Sequence, residues 1–327
     1  MTARRVFLAN LAALAAVPRI AFSQQSAKPV IGLLSTGSPD ERAHMVEWFR
    51  EGLKQGGFAD GKDVTIVYRW AEGRAQRLPQ LAAELVKQNV AVIVTQGGAV
   101  GTLAAKSATS TIPIVFLTSA DPVAIGLVGS LSRPGGNVTG VANLGDQLEV
   151  KRLEMLRELV PGAKRIFYLS SPIEPDAKKT VDAVLAAAER TGVRIDVLTA
   201  GSRAEIDAAL ARLKPTRGAA LLAATSGLFT TNRELLVAHA ARLGLPDSYS
   251  RREFVQAGGL MSYGPDYPHV YRQVGLYAAR ILKGAKPADM PVMQETKFNL
   301  VLNLNTAKKL GLSVSRDFLA RVDEVIQ

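Results

Sequence analysis

The side chains with the most chemical potential in this chain are short and polar, and they fall where apolar runs end. Ser35 and Thr36 follow the run 30–34, Gln96, Gly97 and Gly98 follow 90–95, and Thr118, Ser119 and Asp121 follow 112–117. In the second half Ser170 and Ser171 follow 165–169, Thr225, Ser226 and Gly227 follow 219–223, and Tyr249 lies farther on. Hydroxyls, amides and glycine N–H groups at such places offer hydrogen bonds and dipoles to a carboxylate. Asp121 suits a ligand amine, and Tyr249, Tyr263 and Tyr267 offer flat faces with a polar end. Plainer uses exist for all of them: Ser and Thr cap helices, Gly forms turns, Asp121 before Pro122 shapes a turn, and the tyrosines pack a hinge. The chemistry such a set supports is reversible capture of a small polar or zwitterionic molecule. Contacts are expected from Ser35, Thr36, Gly97, Gly98, Thr118, Asp121, Ser171, Thr225, Ser226, Tyr249 and Tyr263.

Patterns that make or break bonds are missing. His44, His239 and His269 sit on separate predicted helices with no metal-ligand spacing between them. No G-x-S-x-G elbow occurs. Gly97-Gly98-Ala99-Val100-Gly101 lacks the lysine and hydroxyl of a phosphate-binding loop. Asn137-Val138-Thr139 matches a glycosylation sequon but falls on a predicted strand. Neither cofactor nor metal is expected, and the chain does not read as an enzyme.

The elements that must position these residues alternate between two periods. Short apolar strands are predicted at 30–34, 64–70, 90–95, 112–117 and 138–141, with helices near 39–55, 75–88 and 98–108 between them. The rhythm repeats with strands at 165–169, 194–198 and 219–223 and helices near 147–159, 176–190, 203–213 and 231–243. Alternation of this kind implies βαβ units and parallel sheets, and two such runs imply an α/β protein of two doubly wound lobes. After Gly258-Gly259 the pattern changes to a helix at 267–282, prolines at 287 and 291, a strand at 298–302 and a short helix from 305. This tail is too small for a third domain and is expected to cross both lobes. Lobe 1 would hold 28–142 plus about 263–290, and lobe 2 would hold 143–260 plus about 295–327, joined by a hinge suited to closure around a ligand. In open parallel sheets ligands sit beyond the carboxyl ends of the strands, where the polar residues above gather.

The first residues read as an export signal. Arg4 and Arg5 precede a mostly apolar stretch from Leu8 to Val17, and Ala21-Phe22-Ser23 presents small residues for cleavage after Ser23. The arginine pair fits a twin-arginine signal, and a Sec signal remains open. With no cysteine in 327 residues, disulfides and a cysteine lipid anchor are excluded, so a soluble periplasmic protein is expected. The formal charge is +11; residues 1–23 hold three arginines and no acid, and their removal leaves about +8. No dense basic run interleaves with aromatics, so nucleic acid is not an expected partner. A monomer is expected.

Several stretches together resemble a known family. They are Pro29-Val30-Ile31-Gly32-Leu33-Leu34-Ser35, Tyr68-Arg69-Trp70-Ala71-Glu72-Gly73 and Pro113-Ile114-Val115-Phe116 with Asp121-Pro122-Val123. Arg133-Pro134-Gly135-Gly136-Asn137-Val138-Thr139-Gly140 and Ala257-Gly258-Gly259-Leu260-Met261-Ser262-Tyr263-Gly264 are the most specific. In this order they resemble the ABC transporter substrate-binding family that includes tryptophan- and tyrosine-binding proteins. The resemblance implies a type I periplasmic-binding fold with a three-stranded hinge, a ligand between the lobes, and an ABC permease as partner. It also makes aromatic amino acids candidate ligands. Ser170-Ser171-Pro172-Ile173 stands where relatives often carry an Asn-Pro-Asn type turn. A ligand-sensing receptor component without a transport role is the alternative, because the same fold serves both uses.

Overall fold

The structure is a computed structural model that describes residues 28–143 and 145–327; the expected export segment, 1–23, lies outside them. In the first lobe, Val30–Ser35 (β1), Thr65–Trp70 (β2), Val92–Gln96 (β3), Ile114–Thr118 (β4) and Val138–Ala142 (β5) are short runs rich in β-branched residues. Every residue of β3, β4 and β5 is buried. Strands buried on both faces need helices on both sides, which parallel pairing through helical crossovers supplies. With Met293–Gln294 (β11) these strands form an all-parallel sheet in the order β11-β5-β4-β3-β1-β2.

Neighbouring residues of each strand serve opposite layers. Leu33, Val94 and Val115 pack with Phe49 and Val274 on one face, while Leu34, Ile93 and Phe116 pack with Leu81 and Leu85 on the other. The first layer consists of Pro39–Gln55 (α1) and Tyr267–Leu282 (α10); the second contains Leu78–Lys87 (α2) and Ala99–Ala108 (α3). Helices α1 and α10 cross at glycines. A Cβ at Gly52 would stand 2.0 Å from the Arg272 carbonyl oxygen, and one at Gly275 would stand 2.3 Å from that of Phe49. At the start of α1 the Glu41 carboxylate accepts the Ser38 N–H at 3.0 Å, one half of a capping box.

The second lobe repeats the plan with Arg165–Ser170 (β6), Arg194–Thr199 (β7), Ala219–Ala223 (β8), Asp247–Tyr249 (β9), Met261–Pro265 (β10), Phe298–Asn303 (β12) and Glu324–Ile326 (β13). Their order is β13-β12-β10-β9-β8-β6-β7, and among the described strands only the β10–β12 pair is antiparallel. Helices Gly145–Leu159 (α4), Ala177–Glu189 (α5), Arg203–Ala211 (α6), Gly227–Thr231 (α7), Arg233–Leu243 (α8), Arg252–Gln256 (α9), Leu304–Lys309 (α11) and Arg316–Leu319 (α12) complete it. The helix expected from 231 instead begins at Arg233 and follows the separate turn α7, which Ser226 opens by accepting the Leu228 N–H on its side chain. Among the described residues the chain passes between the lobes after β5, between β10 and α10, and between β11 and β12. Two of these passages are tied together where the Asp266 N–H donates to the Lys297 carbonyl at 2.9 Å. The result is an α/β molecule of two parallel-dominated lobes.

Candidate functional site

Both sheets point the carboxyl ends of their strands toward the same interlobe cleft. Lobe 1 contributes Gly97 and Gly98 after β3, Thr118 and Ser119 at β4, Asn143 after β5, and Arg42 and Tyr267 from α1 and α10. Lobe 2 contributes Glu174 after β6, Thr225, Ser226 and Gly227 after β8, and Arg251 after β9. The space between these walls is about 430 Å³, counting its mouth. A wider vestibule of about 850 Å³ lies farther out, between Glu41 and residues 72–76 on one side and residues 201–203 and Thr231 on the other.

The lobes touch across this cleft. Thr231 Oγ1 donates to Glu41 Oε2 at 3.3 Å, His44 Nε2 meets Glu253 Oε1 at 3.0 Å, and Lys179 Nζ stands 3.9 Å from Asp121 Oδ2. The Arg251 guanidinium lies 3.6 Å from the centre of the Tyr267 ring, a cation–π contact between lobes.

Among the described residues that line the central cavity, Arg42 is the charged side chain that lobe 1 supplies. It is 1% exposed, its Nη1 meets Met45 Sδ at 3.4 Å, and its Nε and Nη2 have no hydrogen-bond partner among the described residues. Burial pushes its pKa below the usual guanidinium value; Tyr271, Glu41 and Glu253 oppose that shift, and Arg251 adds to it. A buried guanidinium with unused donors is costly until an acceptor completes it, and a carboxylate matches its fork of N–H groups. Gly97 and Gly98, at φ of 102° and 95°, turn the chain so that α3 starts at the same cavity. A Cβ at Gly97 would fall 1.8 Å from Thr36 Oγ1, so only glycine fits there.

Lobe 2 brings both an acid, Glu174, and a cation, Arg251, to the same cavity. Glu174 Oε1 accepts from Ser226 Oγ at 2.8 Å, and withdrawal from water pushes the Glu174 carboxyl up to about 7. Hydrogen bonds from Ser226 and Gly227 oppose that rise, and the nearby charges of Asp176 and Glu149 add to it. Behind the wall, Glu149 Oε1 accepts the Thr225 N–H at 2.7 Å and pairs with Arg152 at 3.2 Å. Arg152 Nη1 donates to the Ala223 carbonyl at 3.0 Å and its Nη2 to Thr225 Oγ1 at 3.3 Å, while the Tyr168 hydroxyl donates to Glu149. This buried network holds the 225–227 loop that presents Ser226.

Of the residues expected from sequence, Gly97, Gly98, Thr118, Thr225 and Ser226 line the central cavity. Ser171 lines an adjoining one with Glu149 and Asp176, and Thr36 lines the passage toward the vestibule. Four expected residues do otherwise. Ser35 is buried and accepts the Gly37 N–H on its hydroxyl. Asp121 accepts the N–H groups of Val123 and Ala124, so it shapes a turn, and it faces Lys179 rather than the cavity. Tyr249 is fully buried inside lobe 2, stacked 4.3 Å from Phe254 with its hydroxyl on Asp247. Tyr263, on β10, packs beside Phe298 of β12 and lines none of the cleft cavities.

Sequence reading missed Arg42, Asn143, Glu174 and Arg251. Glu174 and Arg251 lie just past strand ends, where the carboxyl-end rule points. Arg42 carries no such signal, because it belongs to a helix. Its side chain reaches the cleft because helical side chains lean toward the helix N-terminus.

Comparison with known proteins gives a consistent result. The family model described as "ABC transporter substrate binding protein" matches residues 31–326. A tyrosine-binding protein of Clostridioides difficile (strain R20291) is 27% identical over 267 residues, covering 81% of this chain and 75% of that protein. A domain from Streptococcus pneumonia solved in complex with L-Trp superposes with a TM-score of 0.81 at 25% identity, covering 92% of this chain and all of that one. A conserved domain protein from Vibrio cholerae superposes with a TM-score of 0.85 at 26% identity, covering 91% of this chain and all of that one.

Proposed function

Because the chain belongs to the ABC transporter substrate-binding protein family, we propose that it captures a small polar or zwitterionic molecule outside the cytoplasmic membrane and delivers it to an ABC importer. The family binds solutes and is not enzymatic. Aromatic amino acids are the first candidates, since one relative is a tyrosine-binding protein and a structural neighbour holds L-Trp.

The observation that carries the reading is the buried guanidinium of Arg42, whose Nε and Nη2 have no hydrogen-bond partner among the described residues, in a cleft whose second wall holds Arg251 and Glu174. A ligand carboxylate would complete the arginine, with Gly97, Gly98, Thr118 and Ser226 supplying further hydrogen bonds. The contacts end at binding, and the ligand leaves unchanged.

A thermal-shift screen of the purified exported protein against L-amino acids and small organic acids tests this. A ligand that binds only the folded form adds about 2.7 kcal/mol of stability at a hundredfold excess over its dissociation constant. L-Tyrosine and L-tryptophan are the first probes. If no carboxylate-bearing compound raises the melting temperature, the reading fails; if the compound comes back altered, binding without chemistry is the wrong description.

Residues 1–23 direct export and are removed in this reading. N-terminal sequencing of the extracytoplasmic product should begin near Gln24, and retention of Met1 would contradict it.

A further inference from the structure

Glu174 is placed where the central cavity, the adjoining lobe 2 cavity and the passage to the vestibule meet, and it lines all three. Its Oε1 is held by Ser226 at 2.8 Å. Its Oε2 points across the cleft, 3.7 Å from where a Cβ on Gly98 of lobe 1 would stand. The charged groups that act most on it among the described residues are the acids Asp176, in its own loop, and Glu149, on α4. The other charged or titratable groups around the central cavity are Arg42 on α1, Arg251 after β9 and Tyr267 on α10. Lys179 on α5 is directed at Asp121. Among the described residues, the central cavity therefore holds a buried guanidinium with two unpaired nitrogens and a carboxyl group whose strongest charged neighbours are acids.

We infer that Glu174 receives the ammonium group of the ligand and gives up its own proton to solvent as that group arrives, so that the site selects α-amino acids over the same acids without the amine and couples their capture to pH. This deepens the capture reading and rests on it. The coupling follows from linkage. A carboxyl group pushed up to about 7 by withdrawal from water is partly protonated near neutrality, and an ammonium group binds its charged form. Amino acid affinity should therefore rise about tenfold from pH 6 to pH 8. A deaminated acid leaves Glu174 without a cation and binds best when Glu174 is protonated, so its affinity should fall over the same interval.

The test is isothermal titration of the exported protein with L-tyrosine and L-tryptophan, and with 3-(4-hydroxyphenyl)propanoate and indole-3-propanoate as their deaminated counterparts. Runs at pH 7 in two buffers of different ionisation enthalpy count the proton released. The amino acids should release a fraction of a proton and bind more tightly at pH 8. Glu174→Gln should abolish the proton release, flatten the pH profile and weaken the amino acids by roughly 10- to 100-fold, as for loss of a hydrogen bond to a charged group. The deaminated acids should be unaffected or should bind more tightly. A role confined to supporting Ser226 would weaken both classes equally and release no proton, and that result overturns the inference. Deaminated acids binding as tightly as the amino acids at every pH would overturn it too, while leaving capture of a carboxylate standing. If neither class binds, the aromatic amino acid reading falls and takes the inference with it.

Discussion

Gly227 of lobe 2 stands against Gly97 of lobe 1: a Cβ built at Gly227 would lie 2.9 Å from the Gly97 carbonyl oxygen and 2.9 Å from Thr36 Oγ1. The lobes meet backbone to backbone at this point, beside the cavity that both glycines line.

Gly227→Val should therefore hold the lobes apart without harming either one. Each lobe keeps its own core, so the melting temperature of the ligand-free protein should change little. Ligand affinity should drop at least tenfold, because the closed arrangement becomes a minor state. Small-angle scattering of the variant should show a larger radius of gyration that ligand does not reduce. An unchanged affinity would mean that the lobes close by another route.

Arg42→Met should separate binding from stability. Removing a buried guanidinium with unused donors relieves a desolvation cost, so the melting temperature should stay level or rise. Binding of a carboxylate ligand should weaken by roughly 10- to 100-fold as charge-assisted hydrogen bonds are lost. Thermal denaturation and calorimetry on the same preparation check both halves.

The Glu149–Arg152 pair behaves in the opposite way. Both side chains are at most 3% exposed, and they hold the 225–227 loop through Thr225. Glu149→Ala leaves Arg152 buried without its acid, which should cost about 3–5 kcal/mol. Denaturant unfolding should show this as a lower midpoint, and ligand affinity should fall as the loop loses its support.

Glu253 sets an acid limit. Burial alone would raise its pKa, but the His44 hydrogen bond and the charge of Arg251 outweigh burial and bring it down to about 2. A carboxylate depressed in the folded state contributes stability that is present above its unfolded pKa of about 4.5 and is lost as pH falls toward 2. Glu253→Gln should remove that part of the acid sensitivity, seen as a shallower fall of melting temperature between pH 4.5 and pH 2. Because His44 lies in the other lobe, the variant should also close less readily.

Local pattern was enough to read the alternating strands and helices of both halves, since periods of two and of 3.6 are written into successive residues. It failed on α7, α9, α12, β9, β10, β11 and β13, which span two to five residues and are too short to display a period. They exist because packing and caps such as that of Ser226 favour them.

The sequence by itself determined that this is a two-lobed α/β chain with small polar residues at its strand ends. Gly97, Gly98, Thr118 and Ser226 could be placed at the cleft because strand ends are local features and parallel sheets gather them on one edge. Only the tertiary structure decided which charges meet. Arg42, Glu174 and Arg251 are far apart along the chain and come to one cavity because two separately built lobes close on each other. It also decided that Tyr249 turns inward: the carboxylate of Asp247 lies in the lobe 2 interior and takes the tyrosine hydroxyl with it. A strand-end position alone does not tell whether a side chain faces the cleft or the core, because that depends on which neighbour satisfies its polar atom.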